Sequence, residues 1–193
     1  PERRFLVTEE LPYYCGAEGN IRSYDTNNPW NIIAENDFIA GGFLWTGTDY
    51  IGEAGWPSHG WPAGLFDICM VEKPRAAFHR AMWNDEPMVR IAVRDNALDI
   101  DHGRDLWQWP NMAAIWNFPR AYEGLVIEVN TTTNCERVAL FHNGNEMGVR
   151  RTADYPNHTI TWCLPYRRGT LVAKGINGTD TVAVHEIRTA GDA

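Results

Sequence analysis

Two stretches of this chain hold side chains that could do chemistry together. The first is RRFLVTEE, residues 3–10, where Glu9 follows Thr8 at the end of an apolar run and precedes Glu10. A carboxylate at the C-terminal end of a buried strand suits a nucleophile or an acid, because catalytic groups project from that end in α/β barrels. The second is FLWTGTDYIGEAGWPSHGWPAG, residues 43–64, which carries Trp45, Asp49, Glu53, Trp56 and Trp61. A sugar ring has an apolar face that stacks on indole, while its hydroxyls need carboxylates and amides. Trp45 is expected to face the same mouth as Glu9, with Asp49, Glu53, Trp56 and Trp61 contributing contacts to a carbohydrate. Each residue also has a plainer reading. Glu9 could be a cap or a solvated loop carboxylate, Trp45 and Trp61 packed core, His59 structural, and Asp67 in GLFDICMVEKP a turn cap.

These residues need elements to position them. RRFLVTEE reads as a short buried strand. PWNIIAEND, residues 29–37, fits a helix with Pro in its first turn. FIAGGFLWTG, residues 38–47, is a continuous apolar run, as expected of a strand buried on both faces. KPRAAFHRAMW, residues 73–83, reads as a second helix opened by Pro74. Strand, helix, strand, helix is the rhythm of a parallel α/β sheet, here with too few units to close a barrel.

From about Met88 the period changes to two. MVRIAVRD sets Val89, Ile91 and Val93 against Arg90 and Arg94, and TITWCL sets Ile160, Trp162 and Leu164 on one side. Asn143-Gly144 and Asn177-Gly178 are hairpin signals, since both residue types tolerate positive φ. The count is roughly seven short strands, the number of an immunoglobulin-like sandwich. The fold class is therefore α/β plus all-β, with residues 1–83 in the first domain and 84–193 in the second. The second half shows no catalytic constellation, and its expected role is packing.

Composition narrows the partners. The net charge is −8 and the pI about 5.2. Basic residues cluster only in pairs such as Arg150–Arg151, which argues against nucleic acid. No apolar run approaches the ~20 residues that span a bilayer, and no leader pattern is visible. The chain opens at Pro1, without Met, directly into a strand-like run, and is expected to be a piece of a longer protein. Four Cys at wide spacings (Cys15, Cys69, Cys135, Cys163) form no C-x-x-C pair; free thiols are expected, with a Cys135–Cys163 bridge the alternative. No metal ligand set and no cofactor motif is apparent. Nine Trp suggest a flat-faced ligand as well as a core.

At these residues the sequence resembles glycoside hydrolase family 2, the β-galactosidase-like group. The likeness runs through FLVTEELPYY, FIAGGFLWTGTDYIGEAGWP and GLFDICMVEKPRAAFHRAMW, and then through LVIEVNTTTNCERVALFHNGNEMG and HTITWCLPYRRGTLVAKG. It implies the seventh and eighth strand segments of a (β/α)8 barrel, the TIM barrel, with the final helix, followed by an immunoglobulin-like domain. It also implies a retaining exo-β-glycosidase acting on terminal β-linked sugars, galactosides first, without a cofactor. Carried over, Glu9 takes the nucleophile's place, and Trp45 floors the sugar subsite, followed by a peptide bond that is often cis in related barrels. The family often has Ser or Thr after that Glu, where this chain has Glu10. The family's acid/base Glu follows the fourth strand, so it would lie upstream of Pro1, in an N-terminal part that completes the site. In retaining enzymes the two carboxylates stand ~5–5.5 Å apart. The rival expectation is a non-catalytic carbohydrate-binding or interaction module.

Overall fold

The computed structural model describes residues 3–10, 29–94 and 112–191, and these described residues divide into two compact units, one up to residue 76 and one from residue 77. Cys15 and the LPYY segment lie outside the described residues.

In the first unit, β1 (Phe5–Glu10) and β2 (Ile39–Leu44) are parallel neighbours. The helix α1 (Pro29–Ala34) precedes β2 in the chain. Pro suits the first turn because the amide hydrogen it lacks has no intrahelical partner there. The helix stops as Asn36 turns its Nδ2 onto the Ile32 carbonyl at 2.7 Å. Phe5 N–H then bonds Phe38 O at 3.0 Å, and the two rings stand 5.5 Å apart, fixing the start of the pair. The register runs Phe5↔Ile39, Val7↔Gly42 and Glu10↔Leu44, with an irregularity in each interval.

β2 was expected to be buried on both faces, yet none of its residues is buried, and Phe43 is 63 % exposed. Phe5 and Leu6 on β1 are nearly half exposed as well. The reason is that an apolar run buries both faces only where layers cover it. Among the described residues β1 is the one strand that pairs with β2. Beyond β2 come a two-residue hairpin, β3 (Tyr50–Ile51) with β4 (Gly60–Trp61), and the helix α2 (Pro74–Trp83).

The second unit begins within α2, before the expected boundary at residue 83, because Ala77 and Ala81 on that helix pack with Met88. It contains β5 (Val89–Arg94), β6 (Met112–Ala113), β7 (Val126–Thr133), β8 (Arg137–His142), β9 (Asn145–Arg151), β10 (Thr159–Pro165), β11 (Thr170–Asn177) and β12 (Asp180–Arg188). They form two antiparallel sheets of orders β10-β7-β5-β6 and β12-β11-β8-β9. Apart from the two-residue β6, this is a seven-strand, three-plus-four sandwich of immunoglobulin-like kind. Both hairpin signals hold: Asn143 and Gly144 have φ of 50° and 79°, and Gly178 has φ of 58°.

The core lies between the sheets. Val89, Ile91, Val93, Val129, Leu140, Ile160, Trp162 and Leu171 are at most 1 % exposed. Alternation could not reveal that Trp116 and Phe118, from the segment after β6, join Tyr166 in the same core. Each buried polar tip is satisfied: Trp116 Nε1 donates to Arg167 O at 3.0 Å, and the Tyr166 hydroxyl accepts from Phe118 N at 3.2 Å. Cys69, Cys135 and Cys163 are free thiols, so the alternative of a Cys135–Cys163 bridge does not hold.

The two sheets are tied by Ile91 N–H donating to His185 Nδ1 at 3.1 Å. Burial, and then Arg90, push the His185 pKa below its ordinary 6.5. Burial does the same for His158. Folding thus favours the neutral rings, so their contribution to stability is complete above the ordinary His pKa and declines as pH falls below it. The sandwich should lose stability on acidification from pH 7 to pH 5. Denaturant titrations should show this loss, and His185→Gln should flatten the pH dependence; an unchanged slope in that variant would remove His185 from the account.

Candidate active site

The parallel pairing of β1 with β2 brings the two chemistry-bearing stretches together. Glu10 pairs with Leu44, so Glu9 and Trp45 leave the same end of two adjacent strands. Both side chains are exposed, Trp45 at 43 %. The Trp45–Thr46 peptide is cis, as the resemblance implied.

Trp45 rests edge-on against Tyr50, with ring centroids 6.1 Å apart at 82°. The Tyr50 hydroxyl donates to Glu53 Oε2 at 2.9 Å. Trp61 Nε1 donates to the Glu53 carbonyl at 2.6 Å, closing the hairpin loop across the Tyr50↔Trp61 pair. Glu53 itself sits at φ 51°, in the left-handed region that a non-glycine residue adopts only where neighbours hold it. The Tyr50 pKa is raised, chiefly by loss of solvation and then by its hydrogen bond to Glu53. The Trp45 side chain opposes this as a hydrogen-bond partner, and the charges of Glu53 and Glu9 add to it. Trp45, Tyr50, Glu53 and Trp61 therefore form one connected patch, and the charge of Glu9 bears on it through Tyr50. Tyr50 was missed in the sequence reading; its place in WTGTDYIGE, between Trp45 and Glu53, was the available signal.

The other expected contacts are placed differently. Asp49 spends its carboxylate on the chain itself. Its Oδ1 accepts from Gly64 N–H at 2.7 Å, and Lys73 Nζ lies 2.8 and 3.0 Å from its two oxygens. Lys73 also donates to Pro62 O at 2.8 Å. Burial lowers the Lys73 pKa and the bond to Asp49 opposes that shift. Asp49 thus clamps residues 62–64 and 73 around the loop rather than reaching toward solvent. Asp67 is a turn cap, accepting from Cys69 N and Val71 N at 2.8 and 2.9 Å. Trp56 is 86 % exposed and packs its edge on His59, ring centroids 5.5 Å apart. Among the described residues no group of three His, Cys, Asp or Glu side chains could hold a metal ion.

The clamp requires glycine at position 64. A Cβ there would stand 2.2 Å from Asp49 N, 2.4 Å from Thr48 C and 2.7 Å from Phe66 O, all backbone atoms. Thr48 and Phe66 form a parallel bridge at this point, and Asp49 N–H bonds Phe66 O at 2.8 Å, so the backbone has no room to yield. Gly64→Ala should destabilise the first unit by about 2–3 kcal/mol, the upper range of overpacking. Proteolytic susceptibility of residues 45–73 checks this, and wild-type resistance in the variant would contradict it.

Comparison with known proteins shows what the chain is similar to. A family described as a domain of unknown function (DUF4982) matches residues 124–183, within the sandwich. A "Putative beta-glucuronidase" of Formosa agariphila is 31% identical over 156 residues, covering 77% of this chain and 13% of that protein. Beta-galactosidase BoGH2A of Bacteroides ovatus is 28% identical over 163 residues, covering 83% of this chain and 16% of that protein. Among solved structures, a glycosyl hydrolase family 2 member from Bacteroides cellulosilyticus superposes with a TM-score of 0.79 at 27% identity, over 98% of this chain and 25% of that one. The chain is thus similar, over nearly its whole length, to part of a glycoside hydrolase family 2 protein. It spans 13–16% of the length of the curated relatives it matches, a small part of such a protein.

Proposed function

We propose that this chain is the C-terminal part of a retaining exo-β-glycosidase, β-galactosidase-like, that hydrolyses terminal β-linked sugars. The reading is supported by the Glu10↔Leu44 pairing, which brings Glu9 and Trp45 to the same C-terminal end of two adjacent parallel strands. That is where a (β/α)8 barrel builds its active site. On this reading β1 and β2 are its seventh and eighth strands, residues 1–83 its end, and residues 84–193 the immunoglobulin-like domain that follows. The exposed Phe5, Leu6 and Phe43 support it, since further barrel layers would cover them.

Glu9 attacks the anomeric carbon as nucleophile, while a second Glu, from the preceding N-terminal part, protonates the leaving oxygen. Trp45 floors the sugar, Trp61 and Glu53 hold the loop, and Trp56 stands at its rim. Asp49 positions the loop from within. Hydrolysis through paired carboxylates needs no cofactor. This chain alone, lacking the acid, turns over no glycoside at a useful rate.

The test is stereochemical. The full-length enzyme, given a 4-nitrophenyl β-galactoside, should release β-galactose as the first-formed anomer in a proton NMR time course. Release of the α anomer, or no hydrolysis across a panel of aryl β-glycosides, would overturn the proposal.

A further inference from the structure

A directed line of side-chain contacts runs from the indole of Trp45 into the hairpin loop. Trp45 meets the Tyr50 ring edge-on, with centroids 6.1 Å apart at 82°. Its side chain is also a hydrogen-bond partner of the Tyr50 hydroxyl. An indole has an N–H donor and no acceptor, so Trp45 donates and the hydroxyl oxygen accepts. The hydroxyl hydrogen is then given to Glu53 Oε2 at 2.9 Å. Each bond has one direction, from Trp45 to Tyr50 to Glu53.

The far end of this line is tied to the backbone. Tyr50 pairs with Trp61 across the hairpin, and Trp61 Nε1 donates to the Glu53 carbonyl at 2.6 Å. The Glu53 side chain is exposed, but it springs from a backbone held at φ 51°. Closing its bond to Tyr50 therefore costs less conformational freedom than joining two untethered side chains. At the near end, Trp45 directly follows β2, so the strand fixes where the indole starts and leaves its side-chain torsions to be set. Contact with Tyr50, at the ring edge and at the ring nitrogen, sets them.

We infer that Tyr50 is a positioning residue of the proposed sugar site: anchored by Glu53, it fixes the rotation of the Trp45 indole against which the sugar ring stacks. The inference rests on the glycosidase reading and adds to it a residue that acts through Trp45 and need not touch the sugar. Stacking requires an aromatic face at a defined angle, and misplacing a binding group by about 1 Å can cost about a hundredfold in rate.

The experiment uses the full-length enzyme and whichever 4-nitrophenyl β-glycoside it hydrolyses best, with Tyr50→Phe, Glu53→Leu, Glu53→Gln and the double variant Tyr50→Phe/Glu53→Leu. Tyr50→Phe keeps the ring and removes the group that both accepts from Trp45 and donates to Glu53. It should raise KM about tenfold while kcat changes less than about twofold, the pattern of lost uniform binding. A purely structural role would act otherwise, because a smaller folded fraction lowers apparent kcat and leaves KM alone. Glu53→Leu removes the anchor and should raise KM similarly, whereas Glu53→Gln keeps an acceptor oxygen and should stay near the wild type. The double variant should be no worse than Tyr50→Phe, since both changes break the same line. Wild-type KM in Tyr50→Phe and Glu53→Leu, a loss confined to kcat, or effects on KM that multiply in the double variant would overturn this inference and leave the glycosidase reading standing. Absence of hydrolysis by the wild-type enzyme on every aryl β-glycoside overturns the glycosidase reading, and this inference with it.

Discussion

Glu9→Gln in the full-length enzyme should reduce kcat by several decades, comparable to removing the nucleophile of a catalytic triad. The substitution keeps size and hydrogen-bonding shape, so the loss reports chemistry rather than packing. Glu10→Gln should cost far less, because neighbouring residues on a strand point to opposite faces. The register complicates this simple alternation: Val7 pairs with Gly42 and Glu10 with Leu44, so β1 carries one more residue than β2 in that interval. Such an extra residue re-aims a side chain, and bulges recur next to active sites. A mechanism-based 2-fluoro sugar followed by peptide mass spectrometry tests the assignment directly. It should label Glu9 and leave Glu10 unmodified. Labelling of Glu10, or full activity in Glu9→Gln, would displace the nucleophile and with it the placing of the strand.

Trp162→Ala should destabilise the sandwich by about 3–5 kcal/mol, the range for deleting a buried aromatic side chain. Trp162 is 1 % exposed on β10, and its Nε1 donates to Thr131 Oγ1 at 3.0 Å. The Arg150 guanidinium lies 4.4 Å from its ring and donates to the Tyr155 hydroxyl at 3.0 Å and to the Thr161 carbonyl. Truncation would therefore open a cavity, remove the donor to Thr131 and take from Arg150 the nearer of its two aromatic faces, the other being Tyr155 at 5.9 Å. Trp162→Phe keeps a ring beneath Arg150 and should cost less. Urea denaturation followed at the sandwich, for instance by the near-ultraviolet signal of Trp116, measures both. A loss below about 1 kcal/mol for the alanine variant would contradict the core position of Trp162.

The sandwich was legible in the sequence to a degree that the site was not. Val89, Ile91 and Val93 alternate with arginines, and Asn-Gly marks two hairpins; both signals arise from a residue and its near neighbours in the chain. Seven strands follow from them, as does the inward face of β10. The Trp116–Phe118–Tyr166 cluster was not legible, because its members come from segments about 50 residues apart and show no period.

At the site, residue types alone pointed to Glu9, Trp45, Glu53, Trp56 and Trp61 as a group with carbohydrate chemistry. Parallel pairing of β1 and β2 decided that Glu9 and Trp45 share one end. Asp49 shows the limit most clearly. In the sequence it is an acidic residue beside tryptophans, equally suited to a ligand. Its partners, Gly64 and Lys73, lie 15 and 24 residues away, and they take both of its oxygens. Tyr50, unremarked between its neighbours, became the hinge of the patch because a hairpin of two-residue strands set it between Trp45 and Glu53. Alternation and turn chemistry are local properties of backbone and side chain, so the sequence by itself determined the strands and the chemical character of the loop. Which carboxylate faces a ligand and which is consumed by the chain depends on atoms brought together across many residues, and only the tertiary structure decided that.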